Sequence, residues 1–157
     1  MDTVLVAYAT KRGSTREVAN DVARVIRESG LEIEIYPARE VKSLDRYSAV
    51  ILGGALYMGR WHKDARKLLK RKRHELASLP LAVFAMGPGS IEPEAIERAR
   101  SQLTRALDAV PEVHPFSTAI FGGVIAKRKE TVDARDWDAI QAWAEALVHE
   151  LSARSSG

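Results

Sequence analysis

The sequence predicts a three-layer α/β fold: a five-stranded parallel sheet in the order 2-1-3-4-5, with helices on both faces. Three observations carry this. Short apolar runs alternate along the chain with amphipathic helical patterns. The second run is the most polar, which suits a sheet edge. The first, third and fourth runs end in Thr10–Thr15, Gly53–Trp61 and Met86–Ser90, segments rich in glycine and hydroxyl residues. Sheets of this kind bind ligands there, beyond the C-terminal ends of the strands.

Residues 3–8 read as a buried strand, and residues 15–29 as a helix with Val18, Val22, Val25 and Ile26 on one face and Gly30 just past its end. Leu31–Tyr36 alternates Leu31, Ile33, Ile35 and stops at Pro37, so it reads as the edge strand. Ala49–Leu52 is a central strand closed by Gly53-Gly54. Residues 62–76 form a basic helix stopped by Leu79-Pro80. Leu81–Met86 is the fourth strand. A helix follows from Pro93, well placed at a first helical position, to Ala109. His114–Phe121 is the fifth strand, broken by Gly122-Gly123. The last helix, about 134–153, turns Trp137, Ile140, Ala144, Leu147 and Leu151 inward; Trp143 joins Trp137 as a packing residue.

With 157 residues and no repeat or linker, residues 1–157 are expected to form one domain. No apolar run approaches the roughly 20 residues a bilayer span needs. Met1-Asp2-Thr3 lacks the basic start of a signal peptide, so a cytoplasmic location is expected. The chain has no cysteine. That excludes disulfides, thiolate catalysis and Cys-ligated metal, so any redox chemistry must come from a bound cofactor. His62, His74, His114 and His149 show no metal-ligand spacing; His62 alone lies near a strand-end loop, as a weak candidate for proton transfer.

The net charge of +3 is unevenly spread. Arg60, Lys63, Arg66, Lys67, Lys70, Arg71, Lys72 and Arg73 are opposed only by Asp64. Such a run is a solvated helix face or a surface for an acidic partner, a polycarboxylate or an anionic membrane. A nucleic acid is not the expected partner.

Tyr8-Ala9-Thr10-Lys11-Arg12-Gly13-Ser14-Thr15 joins the first strand directly to the first helix. A strand that turns through small and hydroxyl residues into a helix aims backbone N–H groups and the positive helix end at an anion. The triphosphate motif G-x-x-x-x-G-K-[ST] is absent, and so is the dinucleotide motif G-x-G-x-x-G. A phospho-accepting receiver would need acidic residues where Tyr8-Ala9 and Gly53-Gly54 stand. A terminal monophosphate remains.

Thr10–Thr15 resembles the phosphate loop of the flavodoxin family, T-x-[TSRD]-G-x-T, and the resemblance covers nearly the whole chain. It implies FMN as cofactor. Thr10, Ser14 and Thr15 would donate hydroxyl hydrogen bonds to the phosphate, Gly13 would allow close approach, and Lys11 and Arg12 would add charge. The competing reading is an ordinary helix start capped by Ser14 or Thr10. Ala55-Leu56-Tyr57-Met58-Gly59 is similar to the family's flavin-ring loop, with Tyr57 stacking on the ring and the Met58–Gly59 peptide facing flavin N5; the competing reading for Tyr57 and Trp61 is surface packing. Met86-Gly87-Pro88-Gly89 would lie along the pyrimidine edge, or be a plain turn.

Thr10-x-x-Gly13-x-Thr15-Arg16-Glu17, Gly53…Gly59-x-x-His62 and Asp136-Trp137 are similar to the bacterial menaquinone-dependent protoporphyrinogen oxidases within this family. Those enzymes carry a long basic and aromatic insertion before the last helix, where this chain has only Ala126-Lys127-Arg128-Lys129-Glu130. The resemblance thus implies flavin-mediated electron transfer with a redox partner protein. The alternative is an oxidoreductase acting on a porphyrinogen and a quinone, and a flavin-free basic interaction module is a third class. The basic surroundings imply a flavin potential less negative than in the acidic members of the family.

Overall fold

The computed structural model describes residues 3–87, 92–127 and 130–155. The elements are β1 (Thr3–Ala9), α1 (Ser14–Glu28), β2 (Glu32–Pro37), a short 3-10 turn (Ala38–Glu40), β3 (Tyr47–Tyr57), β4 (Arg60–Trp61), α2 (Lys63–Arg71), α3 (Arg73–Leu76), β5 (Leu81–Met86), α4 (Pro93–Asp108), β6 (Ser117–Phe121), β7 (Val124–Lys127), β8 (Glu130–Asp133) and α5 (Trp137–Ser155).

Five strands pair in parallel in the order β2-β1-β3-β5-β6. In the numbering of the parallel strands alone this is the expected 2-1-3-4-5. The central strands are apolar through their buried stretches because both faces are covered, so successive side chains enter opposite halves of the core. Val4 and Val6 point to the half built with Val18, Val22, Ile26, Ile140 and Leu147 of α1 and α5. Leu5 and Ala7 point to the half built with Leu68, Leu69 and Leu103 of α2 and α4. Phe84, Phe121 and Trp143 meet as a cluster, with Trp143 edge-on to both phenyl rings at 5.7 Å. The indole N–H of Trp143 donates to Ser117 Oγ at 2.9 Å. Trp143 is thus a packing residue, as expected, while the Arg135 guanidinium covers the Trp137 ring.

The register aligns the strand ends. Ala9 lies opposite Gly54, Gly54 opposite Ala85, and Met86 opposite Phe121. The loops after β1, β3 and β5 therefore emerge side by side.

The structure departs from the sequence expectations in three places. The third strand does not stop at Leu52 but runs on through Gly53-Gly54 to Tyr57, then folds back as β4, with Leu56 opposite Trp61 and Tyr57 opposite Arg60. The basic helix breaks at Lys72, whose backbone (φ −111°, ψ 21°) leaves the helical region, and continues as the single turn α3. The segment between the fifth strand and the last helix, to which the sequence assigned no element, forms the antiparallel pair β7–β8. The β-branched pairs Val124-Ile125 and Thr131-Val132 fit that pairing.

Trp61 explains the first departure. It is buried (1% exposed), and its indole N–H donates to the Gly54 carbonyl at 3.0 Å. A Cβ on Gly54 would lie 2.6 Å from Trp61 Nε1. The second glycine of the pair extends the strand by letting the indole lie flat on it, and surface packing of Trp61 is ruled out. The substitution Gly54→Ala is expected to lower unfolding free energy by about 1–3 kcal/mol through overpacking. Urea denaturation checks this, with an unchanged midpoint counting against the contact.

Candidate functional site

The turn after β1 presents the uncapped start of a helix. Gly13 is the residue preceding α1, at φ 92° and ψ −11°, and no side chain caps the helix. Neither Ser14 nor Thr10 therefore plays the ordinary capping role. The first-turn amides of a helix have no intrahelical partner, and here no side chain supplies one. Thr10 Oγ1 instead accepts the Gly13 N–H at 2.8 Å, which folds the loop and leaves the hydroxyl hydrogen free to donate.

Thr15 is fully buried, and its Oγ1 has no hydrogen-bond partner within the protein among the described residues. Leaving a buried hydroxyl unpaired costs roughly 1–3 kcal/mol. Its position one residue into α1 puts this unpartnered donor beside the uncapped amides. A monophosphate fits this donor set: three hydroxyls, the helix N-terminus, and the cationic Lys11 and Arg12, both exposed.

A cleft of about 300 Å³ lies against this turn. Its lining includes Ser14, Ala55, Leu56, Met58, Gly59, Met86 and Gly87, so one cavity collects residues from all three expected loops. Tyr57 is not among them. It is 52% exposed on the other side of the hairpin, where Lys11 Nζ sits 3.4 Å from its ring centroid. The Lys11 ammonium beside the phenol, helped by Arg12, holds Tyr57 below its ordinary pKa. Lys11 thus links the phosphate turn to the hairpin.

The hairpin turns at Met58 and Gly59, with φ 50° and 79°. Positive φ at both central residues is the two-residue turn that matches strand twist. Met58 is a non-glycine residue held there, 83% exposed. Gly87 donates its N–H to the Phe121 carbonyl at 2.9 Å, so that amide ties β5 to β6. Pro88 and Gly89 lie outside the described residues.

Sequence reasoning missed the far wall of the cleft, made by Arg98, Ala99 and Gln102 of α4 and by Gly123 and Val124. The paired glycines after the fifth strand were the available signal. Arg135 ties the β7–β8 end of this wall, where Val124 lies opposite Asp133, to α1. It pairs with Asp133 at 2.7 Å and with Glu17 of α1 at 3.4 Å. The same guanidinium holds the Asp133 carboxyl down at about 2.

His62 caps α2 rather than facing the cleft. Its Nδ1 accepts the Asp64 N–H at 3.0 Å. Burial pushes the imidazole below its ordinary pKa, and the nearby Lys63 and Arg66 add to this, while Asp64 pulls the other way. A histidine depressed in the fold contributes stability that is intact above about pH 6.5 and declines as pH falls toward the folded-state value. The urea midpoint is expected to fall over this range, and His62→Asn, which keeps the cap, is expected to flatten the fall. In anion-free buffer, flavin-free Thr15→Val is expected to unfold at a free energy about 1 kcal/mol higher than the parent, because the unpaired hydroxyl is gone. A drop instead would mean that Thr15 has a structural partner.

The flavodoxin domain family matches residues 5–136. Protoporphyrinogen IX dehydrogenase [quinone] of Escherichia coli (strain K12) is 21% identical over 123 residues, which span 77% of this chain and 68% of that protein. Among solved structures, oxidised flavodoxin 1 from Bacillus cereus superposes with a TM-score of 0.67 at 20% identity, covering 94% of this chain and 98% of that one. Rubredoxin oxygen:oxidoreductase from Desulfovibrio gigas matches 100% of this chain with 38% of its own, at a TM-score of 0.71 and 13% identity. The chain belongs to the flavodoxin family and is an FMN-binding, flavodoxin-like redox protein.

Proposed function

We propose that FMN is held with its phosphate in the Thr10–Thr15 turn and its ring system in the cleft between the Ala55–Gly59 hairpin, Met86-Gly87 and α4. The observation that carries this is the buried, unpartnered Thr15 hydroxyl beside the uncapped start of α1. When bound, FMN supplies one- and two-electron transfer chemistry. Thr10 and Thr15 hydroxyls and the α1 amides hold the phosphate; Leu56 and Met86 shield the ring from water; the Met58–Gly59 turn brings backbone polar groups to the cleft rim. Lys11 and Arg12 place positive charge on the phosphate side, and Arg98 places it beside the ring.

The function proposed is electron transfer between this flavin and a separate redox partner. A second reading is quinone-linked oxidation of a porphyrinogen. It is favoured by the Escherichia coli relative and by the cationic side chains beside the hairpin, which suit carboxylate substituents. Association with an anionic membrane surface through the basic α2 face belongs to this second reading. Among the described residues no helix is long and apolar enough to cross a membrane. Assay of porphyrinogen oxidation with a menaquinone analogue separates the two readings.

Titration with FMN, followed by loss of flavin fluorescence, is expected to show tight binding. Thr15→Ala is expected to weaken it about tenfold or more, the loss of roughly one charge-assisted hydrogen bond. Tyr57→Ala is expected to change it far less if the ring lies on the cleft side of the hairpin. Unchanged affinity in Thr15→Ala would refute the assignment. Cations stabilise the anionic reduced flavin, so the second one-electron potential is expected to lie above that of acidic flavodoxins, with ~59 mV per tenfold change in equilibrium constant. Potentiometric titration of the parent and of Arg98→Glu measures the shift, which is expected to be negative in the variant.

A further inference from the structure

Two cavities flank the hairpin on the side of α2, and both are cationic. One, about 370 Å³, opens between β4, α2 and α4, with Arg60, Arg66, Lys70 and Arg105 on its walls. The other, about 430 Å³, has Lys11, Arg60, Lys63 and Arg66. Among the described residues no carboxylate lines either one. Arg60, Arg66 and the Trp61 ring are common to both, so the two form a single band. Among the described residues Arg60, Lys63, Lys70 and Arg105 make no ion pair, whereas Lys72 and Arg73 beyond them pair with Glu75 and Glu112. Arg66 is fixed in place, its Nε donating to the Trp61 carbonyl at 2.8 Å.

The band adjoins the proposed flavin cleft. Gly59 and Gln102 line both the cleft and the first cavity. On the second cavity the hairpin tip exposes Tyr57 and Met58, two of the three large hydrophobic side chains exposed among the described residues. An apolar patch rimmed by unpaired like charges is the arrangement of a protein interface whose electrostatics steer encounter.

We infer that this band is the docking surface for the acidic face of a protein redox partner, with the Tyr57–Met58 tip at its centre. The inference rests on the cleft being the redox site. Protruding carboxylates reach the walls of two grooves parted by Trp61 and Arg66, which a flat layer of lipid headgroups does not. A single small anion reaches the cations of one groove at a time. An acidic surface engages all six, and it brings the partner's redox centre to the rim where Gly59 separates groove from cleft.

The test is calorimetric titration of a strongly acidic plant-type ferredoxin into the chain, as purified and after FMN loading, at roughly 20 mM and 200 mM salt, with basic cytochrome c as control. Ferredoxin is expected to bind at low salt and cytochrome c not to. Lys70→Glu/Arg105→Glu is expected to weaken ferredoxin binding about tenfold at low salt, with FMN affinity unchanged. Arg27→Glu/Arg154→Glu, an equal charge change on the α1–α5 side, is expected to alter it less than about twofold. Equal weakening by both double variants would overturn the inference, leaving only net charge. So would unchanged ferredoxin binding in Lys70→Glu/Arg105→Glu while that variant loses sedimentation with phosphatidylcholine–phosphatidylserine vesicles; lipid would then be the occupant. Failure of FMN loading would strike the cofactor assignment, while the ferredoxin titration of the purified chain still reads the surface.

Discussion

The contact of the Trp61 indole with the Gly54 peptide organises the ligand-binding end of the molecule. The hydrogen bond from Trp61 Nε1 to the Gly54 carbonyl folds the end of β3 back on itself. The His62 N–H then donates to the Ala55 carbonyl at 2.9 Å, locking the hairpin from outside. His62 starts α2, and the Arg66 side chain returns to the Trp61 carbonyl. One buried aromatic residue thereby sets where the hairpin points, where the basic helix begins, and which cations face which groove. The Met58–Gly59 turn can occupy an unusual backbone region because the strands on either side of it are held this firmly.

The sheet was legible because its signal is composition at buried positions. Strands covered on both faces must be apolar throughout, and Val4–Ala7, Ala49–Leu52 and Leu81–Met86 meet that demand without help from neighbours. The conformation of the turn after β1 was legible for a related reason: a left-handed residue before an uncapped helix needs glycine, and Gly13 stands there. What sequence could not give was direction. Whether Trp61 packs inward depends on a glycine seven residues away, and whether Tyr57 faces the cleft depends on the parity of a two-residue turn. Strand alternation reversed at that turn sends Leu56 inward and Tyr57 out, so a residue assigned by position in a motif ended on the opposite side of the hairpin. The α4 wall was invisible for a third reason. Arg98 and Gln102 are ordinary polar helix residues, and only the tertiary approach of α4 to the strand ends makes them line a cavity.

The charge distribution gives the molecule two unlike faces around one site. On the α5 side the cations are largely spent: Arg135 on Asp133 and Glu17, Arg154 on Glu150. On the α2 side they line the grooves unpaired. A net charge of only +3 conceals this division. Local field, more than total charge, sets both the potential of a bound redox group and the direction from which a charged molecule approaches.

The buried Thr15 hydroxyl carries a thermodynamic consequence of another kind. Under the proposed assignment of Thr15 to an anion, a donor that finds no partner in the protein makes folding and anion occupancy one linked equilibrium. Each tenfold rise of free ligand above its dissociation constant adds about 1.4 kcal/mol to the folded state. The melting temperature of this chain is therefore a property of the solution as much as of the fold. With the proposed site, phosphate buffers and flavin supply would both report themselves through it, and a cell short of cofactor would hold a measurably less persistent protein.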